Sequence, residues 1–171
     1  MSKSRFSTRM LTTLALLTAL EIVLSRFLSI NAWNIKIGFN FIPIVIAAIL
    51  YGPLEAGIVA ALGDFIGALL FPIGAYFPGF TLTAFLHGLV FGLFLYKKQD
   101  WLQSFACVGI NQFILSLFLN TLWISVLYGS PYAPLLATRV VQCILLTIVQ
   151  LICIQTIAKV LARYGKKVSV T

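Results

Sequence analysis

Apolar residues run along this chain in blocks, and each block ends at a charged cluster, a polar loop or a proline–glycine break. A bilayer-crossing helix takes about 20 predominantly apolar residues, and most blocks approach or exceed that length. The first covers residues 8–28 and is followed by the polar loop SINAWNIKIGF. The second, residues 39–51, is short. YGPLEAG, with proline directly after glycine, marks a turn before the third block at 54–70. FPIGAYFPGFT then breaks the pattern with prolines and glycines but no charge. The remaining blocks cover 80–96, 101–127 and 132–163. This pattern predicts an all-α integral membrane protein with six transmembrane helices, forming a single transmembrane domain over residues 1–171.

Composition agrees. Charged residues make up 9% of the chain and hydrophobic ones 61%, against about 25% charged in a soluble domain. Such a sequence cannot clothe a water-facing surface. The net charge of +8 is concentrated at Lys3, Arg5 and Arg9, at Lys97 and Lys98, and at Lys159, Arg163, Lys166 and Lys167. The positive-inside rule places all three clusters in the cytoplasm. That predicts a multi-pass protein of the cell membrane with both termini inside and FPIGAYFPGFT outside. Topology thus accounts for the basic excess, and no nucleic-acid partner is expected. Cys107, Cys143 and Cys153 lie in apolar blocks without a CxxC pair and read as buried hydrophobes. The N-terminus begins like a signal peptide, but its apolar run continues without a cleavage site and reads as a retained first helix. No GxxxxGK[ST] occurs, so energy for any pumping must come from another chain.

Polar groups at membrane depth are costly and mark functional candidates. Glu21, Arg26, Asp64, His87, Asn111, Asn120 and Arg139 are such groups. Two readings stand side by side. The groups pair between helices, for instance Asp64 with Arg26 or Arg139, or they rim one cavity near the outer face. Thr83 and His87 share a helix face at i, i+4, as do Asn120 and Trp123 at i, i+3. Aromatic walls around a few fixed polar groups describe a small-molecule pocket. A single histidine without nearby ligands makes no metal site. Asp64 and Asp100 cannot form a catalytic dyad, and no serine stands at a telling distance from His87, so an enzyme is not expected. Small residues pair at Ala15 and Ala19, Gly63 and Gly67, and Gly88 and Gly92. The glycine pairs read as helix packing within the fold, while the alanine pair offers a docking point for an external helix.

The segments LSRFLSI, KIGFNFIPI, the long stretch from YGPLEAG to FLHG, and LNTLWIS with the later Arg139 resemble the folate-specific S component of energy-coupling factor (ECF) vitamin transporters. The resemblance implies a six-helix protein with a vitamin pocket near the extracellular face. It implies no cofactor, folate as ligand, and a transmembrane T component with two ATPases as partners. In the family the first helix meets the T component through a small-xxx-small motif, which Ala15 and Ala19 match. Folate has a pterin head, an aromatic middle and a glutamate tail. Asp64 then suits the amino-amide edge of the pterin, with Thr83, His87 or Asn120 on other ring atoms. Phe65, Phe80 and Trp123 suit the flat rings, and Arg26, Lys36 and Arg139 suit the tail. Tyr76, Phe77 and Phe80 read as aromatics of a lid built from FPIGAYFPGFT. Cationic thiamine fits those three positive groups poorly. Biotin remains open, as do a stand-alone membrane enzyme and a structural subunit.

Overall fold

The computed structural model describes residues 7–32, 35–97 and 99–168, with the side chains of 30–32, 35, 36, 162 and 164–168 outside that description. Helix α1 covers Thr8–Arg26. Its threonines bond back into the helix, Thr12 to the Thr8 carbonyl and Thr18 to the Leu14 carbonyl, each at 2.9 Å. An apolar environment requires this internal satisfaction of hydroxyls. A hairpin follows, strand β1 (Ser29–Ala32) antiparallel to β2 (Ile35–Gly38), with Ser29 opposite Gly38. The sequence reading gave this stretch as a polar loop. The alternation Ile30, Ala32 and then Ile35, Ile37 is the period-two signal that marks it.

Helices α2 (Phe41–Tyr51) and α3 (Pro53–Leu70) meet at Gly52. Gly52 takes φ +112°, a backbone that side chains resist, and Pro53 opens α3 where its missing N–H is not needed. At 11 residues α2 is about 16 Å long, half a bilayer core. It is short because it is central. Phe41, Ile44, Val45, Ala47 and Ala48 are all buried, and α2 packs on α1, α3, α4 and α7. Lipid-facing helices must span the bilayer, whereas one enclosed by protein need not.

The α3–α4 connector contains 71–77, and α4 runs Pro78–Leu95. Helices α3 and α4 form the most extensive helix pair. A methyl at Gly88 would overlap the Ala56 carbonyl group, and one at Gly92 would overlap Pro53. This pair therefore performs the close backbone packing expected of it. The next span is wound in three parts, α5 (Trp101–Gly109), a π-helical segment (Ile110–Leu119) and α6 (Asn120–Tyr128). Gly129, with φ +63°, ends it as a left-handed cap. Helix α7 (Tyr132–Val168) completes the bundle. Among the described residues, five helical segments are long and apolar enough to cross a membrane, and α2 is a shorter apolar helix beside them. Cys107, Cys143 and Cys153 carry free thiols, the first two buried.

Candidate binding cavity

At the end of the bundle that carries the hairpin and the α3–α4 connector lies a cavity of about 360 Å³. Small-molecule sites begin near this size. Helix α1 contributes Glu21 and Arg26, α3 contributes Ala60 and Asp64, and the connector contributes residues 73–76. Phe80, Ala84, His87 and Phe91 come from α4 at helical spacing. Gln112 and Ser116 come from the π segment, Asn120 from α6, and Arg139, Gln142, Leu146 and Gln150 from α7.

One hydrogen-bonded chain joins the connector to α1. Tyr76 Oη and Thr81 Oγ1 are 3.2 Å apart, and Thr81 donates to Asp64 Oδ2 at 2.9 Å. Asp64 Oδ1 faces Arg26 Nη2 at 3.8 Å, and the same nitrogen donates to the Asp64 main-chain oxygen at 3.3 Å. A carboxylate so engaged steers the guanidinium more than it waits for a ligand. Helix α3 makes room for both charged groups of α1. A methyl at Gly63 would overlap the Glu21 carboxylate, and one at Gly67 would lie 2.8 Å from Arg26 Nε. Gly63 and Gly67, expected to pack helix on helix, instead form two slots for side chains. Asn40, just before α2, donates to Glu21 Oε1 at 3.4 Å.

The π winding sets the opposite wall. Residues four apart drift by about 40° around an α-helix. In a π-helix, closed by i→i+5 bonds, they come closer to one line. Gln112, Ser116 and Asn120 accordingly all face the cavity. Arg139, buried on α7, donates from Nη2 to the Ser116 carbonyl at 3.3 Å and fixes α7 against this segment.

Of the expected site residues, Arg26, Asp64, Tyr76, Phe80, His87, Asn120 and Arg139 line one cavity. Thr83, Trp123 and Phe65 do not reach it. Thr83 is fully buried behind the wall, donates to the Gly79 carbonyl at 2.9 Å and accepts from Trp123 Nε1 at 3.0 Å. The Trp123 ring stands 5.5 Å from that of Phe77, so these groups pack where the connector meets α4 and not on the cavity surface. Phe65 points outward beside Tyr76, ring centroids 5.9 Å apart. The side chain of Lys36, on β2, lies outside the described residues. Asn111 is buried and donates to the His87 carbonyl at 3.5 Å. Ala15 and Ala19 are exposed on α1 and do not line the cavity. Gln112, Ser116, Gln142 and Gln150 were not singled out in the sequence. Their spacing was a signal, with Gln112, Ser116 and Asn120 at steps of four and Arg139, Gln142, Leu146 and Gln150 at steps of three and four.

Comparison with known proteins places this architecture. Residues 9–158 match the family described as ECF transporter, substrate-specific component. A folate transporter FolT of Clostridium novyi is 45% identical over 130 residues, 75% of this chain and 76% of that protein. FolT of Leuconostoc mesenteroides is 35% identical over 75% of this chain and 70% of its own length. Among solved structures, the crystal structure of FolT bound with folic acid superposes with a TM-score of 0.85 at 33% identity, covering 90% of this chain and 94% of the other. With its apolar helices of membrane-crossing length, its internal polar cavity and these likenesses, the chain belongs to the substrate-specific components of ECF transporters, multi-pass membrane proteins that bind a transporter's cargo and are not enzymes.

Proposed function

We propose that this chain is the folate-binding component of an ECF importer, capturing folate outside the cell membrane and delivering it inward with a T component and two ATPases. The observation that carries this reading is the cavity itself. It sets two guanidinium groups, Arg26 and Arg139, among aromatic, histidine and amide groups inside one small volume. An anionic tail finds positive charge there, and flat rings find Phe80, His87 and Tyr76. The relatives named as folate transporters support the same ligand. In this orientation both termini are cytoplasmic, and the hairpin and the connector with Tyr76 form the outer cover. The purified chain is expected to bind one folate per protein in a calorimetric titration, with thiamine and biotin silent in the same panel. Silence toward folate at micromolar protein would end the folate assignment.

The partner reading rests on α1. Ala15 and Ala19 sit one turn apart on an exposed face, beside Leu16 at 70% exposure. A helix can approach closely over two such small residues. Ala15→Trp and Ala19→Trp are expected to reduce folate uptake in cells at least tenfold while leaving folate affinity of the isolated chain within about twofold, because neither residue lines the cavity. Normal uptake by both variants would rule out this docking face.

A further inference from the structure

The winding of the π segment has no cause in its own sequence. Ile110–Leu119 reads INQFILSLFL, without proline or glycine. Leucine and glutamine, half of it, are good α-helix formers. Gly109, just before, has ordinary helical angles, φ −58° and ψ −49°. A helix departs from regular α winding at a proline, at a glycine–serine pair, or where a side chain enters its hydrogen-bond ladder. Only the last of these applies to this segment.

The ladder shows where. In an α-helix the Asn120 N–H bonds to the Ser116 carbonyl. Here it bonds to the Leu115 carbonyl, five residues back. The Ser116 carbonyl receives Arg139 Nη2 from α7 at 3.3 Å. Two residues on, the Phe118 carbonyl receives the Tyr132 hydroxyl, also from α7 and also at 3.3 Å. Helix α7 thus donates twice to main-chain carbonyls of the π segment. Of the two donors, Arg139 is the costly one. It is 5% exposed. Among the described residues its Nε has no partner, and the ion pair of Arg26 with Asp64 does not include it. A buried cation without a carboxylate persists only where an acceptor compensates it. The Ser116 carbonyl is that acceptor. Rewinding the segment as α-helix would turn this carbonyl toward the Asn120 N–H and leave the guanidinium without it.

We infer that Arg139 is the lock of the π winding, a positioning residue that holds the Ser116 carbonyl out of α register, with Tyr132 as a second latch at Phe118. The lock reaches the site through the wall. Gln112, Ser116 and Asn120 line the cavity together, and in an α form each step of four would drift by about 40°. Arg139 therefore sets the shape of the wall in addition to the charge it brings. The effect on ligand capture rests on the folate reading, while the winding itself does not.

The test reads the winding without ligand. Nitroxide labels are placed at Leu102→Cys and Val126→Cys, both exposed and outside the cavity lining, in a chain carrying Cys153→Ala. Cys107 and Cys143 are fully buried and stay. A π turn holds about one residue more than the 3.6 of an α turn, so the ten residues wound as α-helix stand roughly 2–3 Å taller. In Arg139→Met the label distance is expected to lengthen by that amount, and folate affinity to fall tenfold or more. Tyr132→Phe changes no charge and lines no cavity. It is expected to give a smaller shift in the same direction and about a threefold loss of affinity, which a purely electrostatic role of Arg139 would not produce. If Arg139→Met fails to fold, Tyr132→Phe decides alone. The wild-type distance in each variant that folds overturns the lock, whatever folate does. A lengthened distance with wild-type folate affinity overturns the positioning of the wall. Labelled wild type that binds no folate overturns the folate reading and leaves the distance measurement to judge the lock.

Discussion

Gly92→Val is expected to remove most of the folded protein. The α-carbon of Gly92 faces the first residue of α3, where an added methyl would overlap the Pro53 main chain and stand 2.8 Å from the Gly52 carbonyl carbon. Main chain cannot swing aside as a side-chain tip does. Pro53 is further held by its ring and by the turn at Gly52. The α3–α4 pair is the largest helix contact in the bundle, and it carries both Asp64 and the α4 wall of the cavity. Separating it costs about 3 kcal/mol or more, the upper range of overpacking penalties. The purified variant should elute largely as aggregate in size-exclusion chromatography. Leu93→Val, one residue on and 69% exposed, is the control and should behave as wild type within about 0.5 kcal/mol. A Gly92→Val protein that elutes and melts like the control would show that α3 and α4 do not need this contact.

Arg26→Ala is expected to weaken folate binding by about a hundredfold, close to 2.7 kcal/mol, which is what one charge-assisted contact at a partly enclosed site is worth. The Arg26 side chain is 10% exposed and that of Asp64 22%. The pair is partly wet, so its contribution to stability is small. Asp64 keeps its bond from Thr81 when Arg26 is gone, so the variant should fold. Asp64→Asn removes the brace but leaves the cation and is expected to cost only about three- to tenfold. The double variant should lose less than the product of the two single losses, because both act through one guanidinium position. Arg26→Ala binding folate within threefold of wild type in the same calorimetric titration would remove Arg26 from the site.

Much of this protein was legible in its sequence. The block boundaries lie within a few residues of the helices, from 8–28 against Thr8–Arg26 to 101–127 against Trp101–Tyr128. The turn at Gly52–Pro53 stands where the break predicted it, while α4 starts at Pro78, two residues inside the segment expected to be a break. Seven of the expected site residues line the cavity. Ionisable groups stand out in such a sequence, since a charge in lipid is conspicuous. Gln112, Gln142 and Gln150 do not, because they carry no charge and lower the apolar average of their blocks only slightly. Thr83 and Trp123 share helix faces with His87 and Asn120, which predicts them in the same cavity. In the structure these two bond to each other behind it. A face shared at i, i+3 or i, i+4 is wide enough to reach two environments.

The sequence by itself determined that the chain lives in a membrane, where its apolar segments lie and where most of them turn. Those follow from a single physical demand. In hydrocarbon every backbone group must bond within its own segment, so apolar length and helix breakers suffice to place each span. Only the tertiary structure decided which polar faces meet. That depends on the rotation of each helix about its axis, and the rotation is fixed by contacts far apart in the chain. Gly63 and Gly67 admit Glu21 and Arg26 from α1. The π segment turns Gln112, Ser116 and Asn120 inward together. Arg139 fastens α7 to the Ser116 carbonyl. Periodicity shows that a helix has a polar face, but the packing of its neighbours decides where that face points.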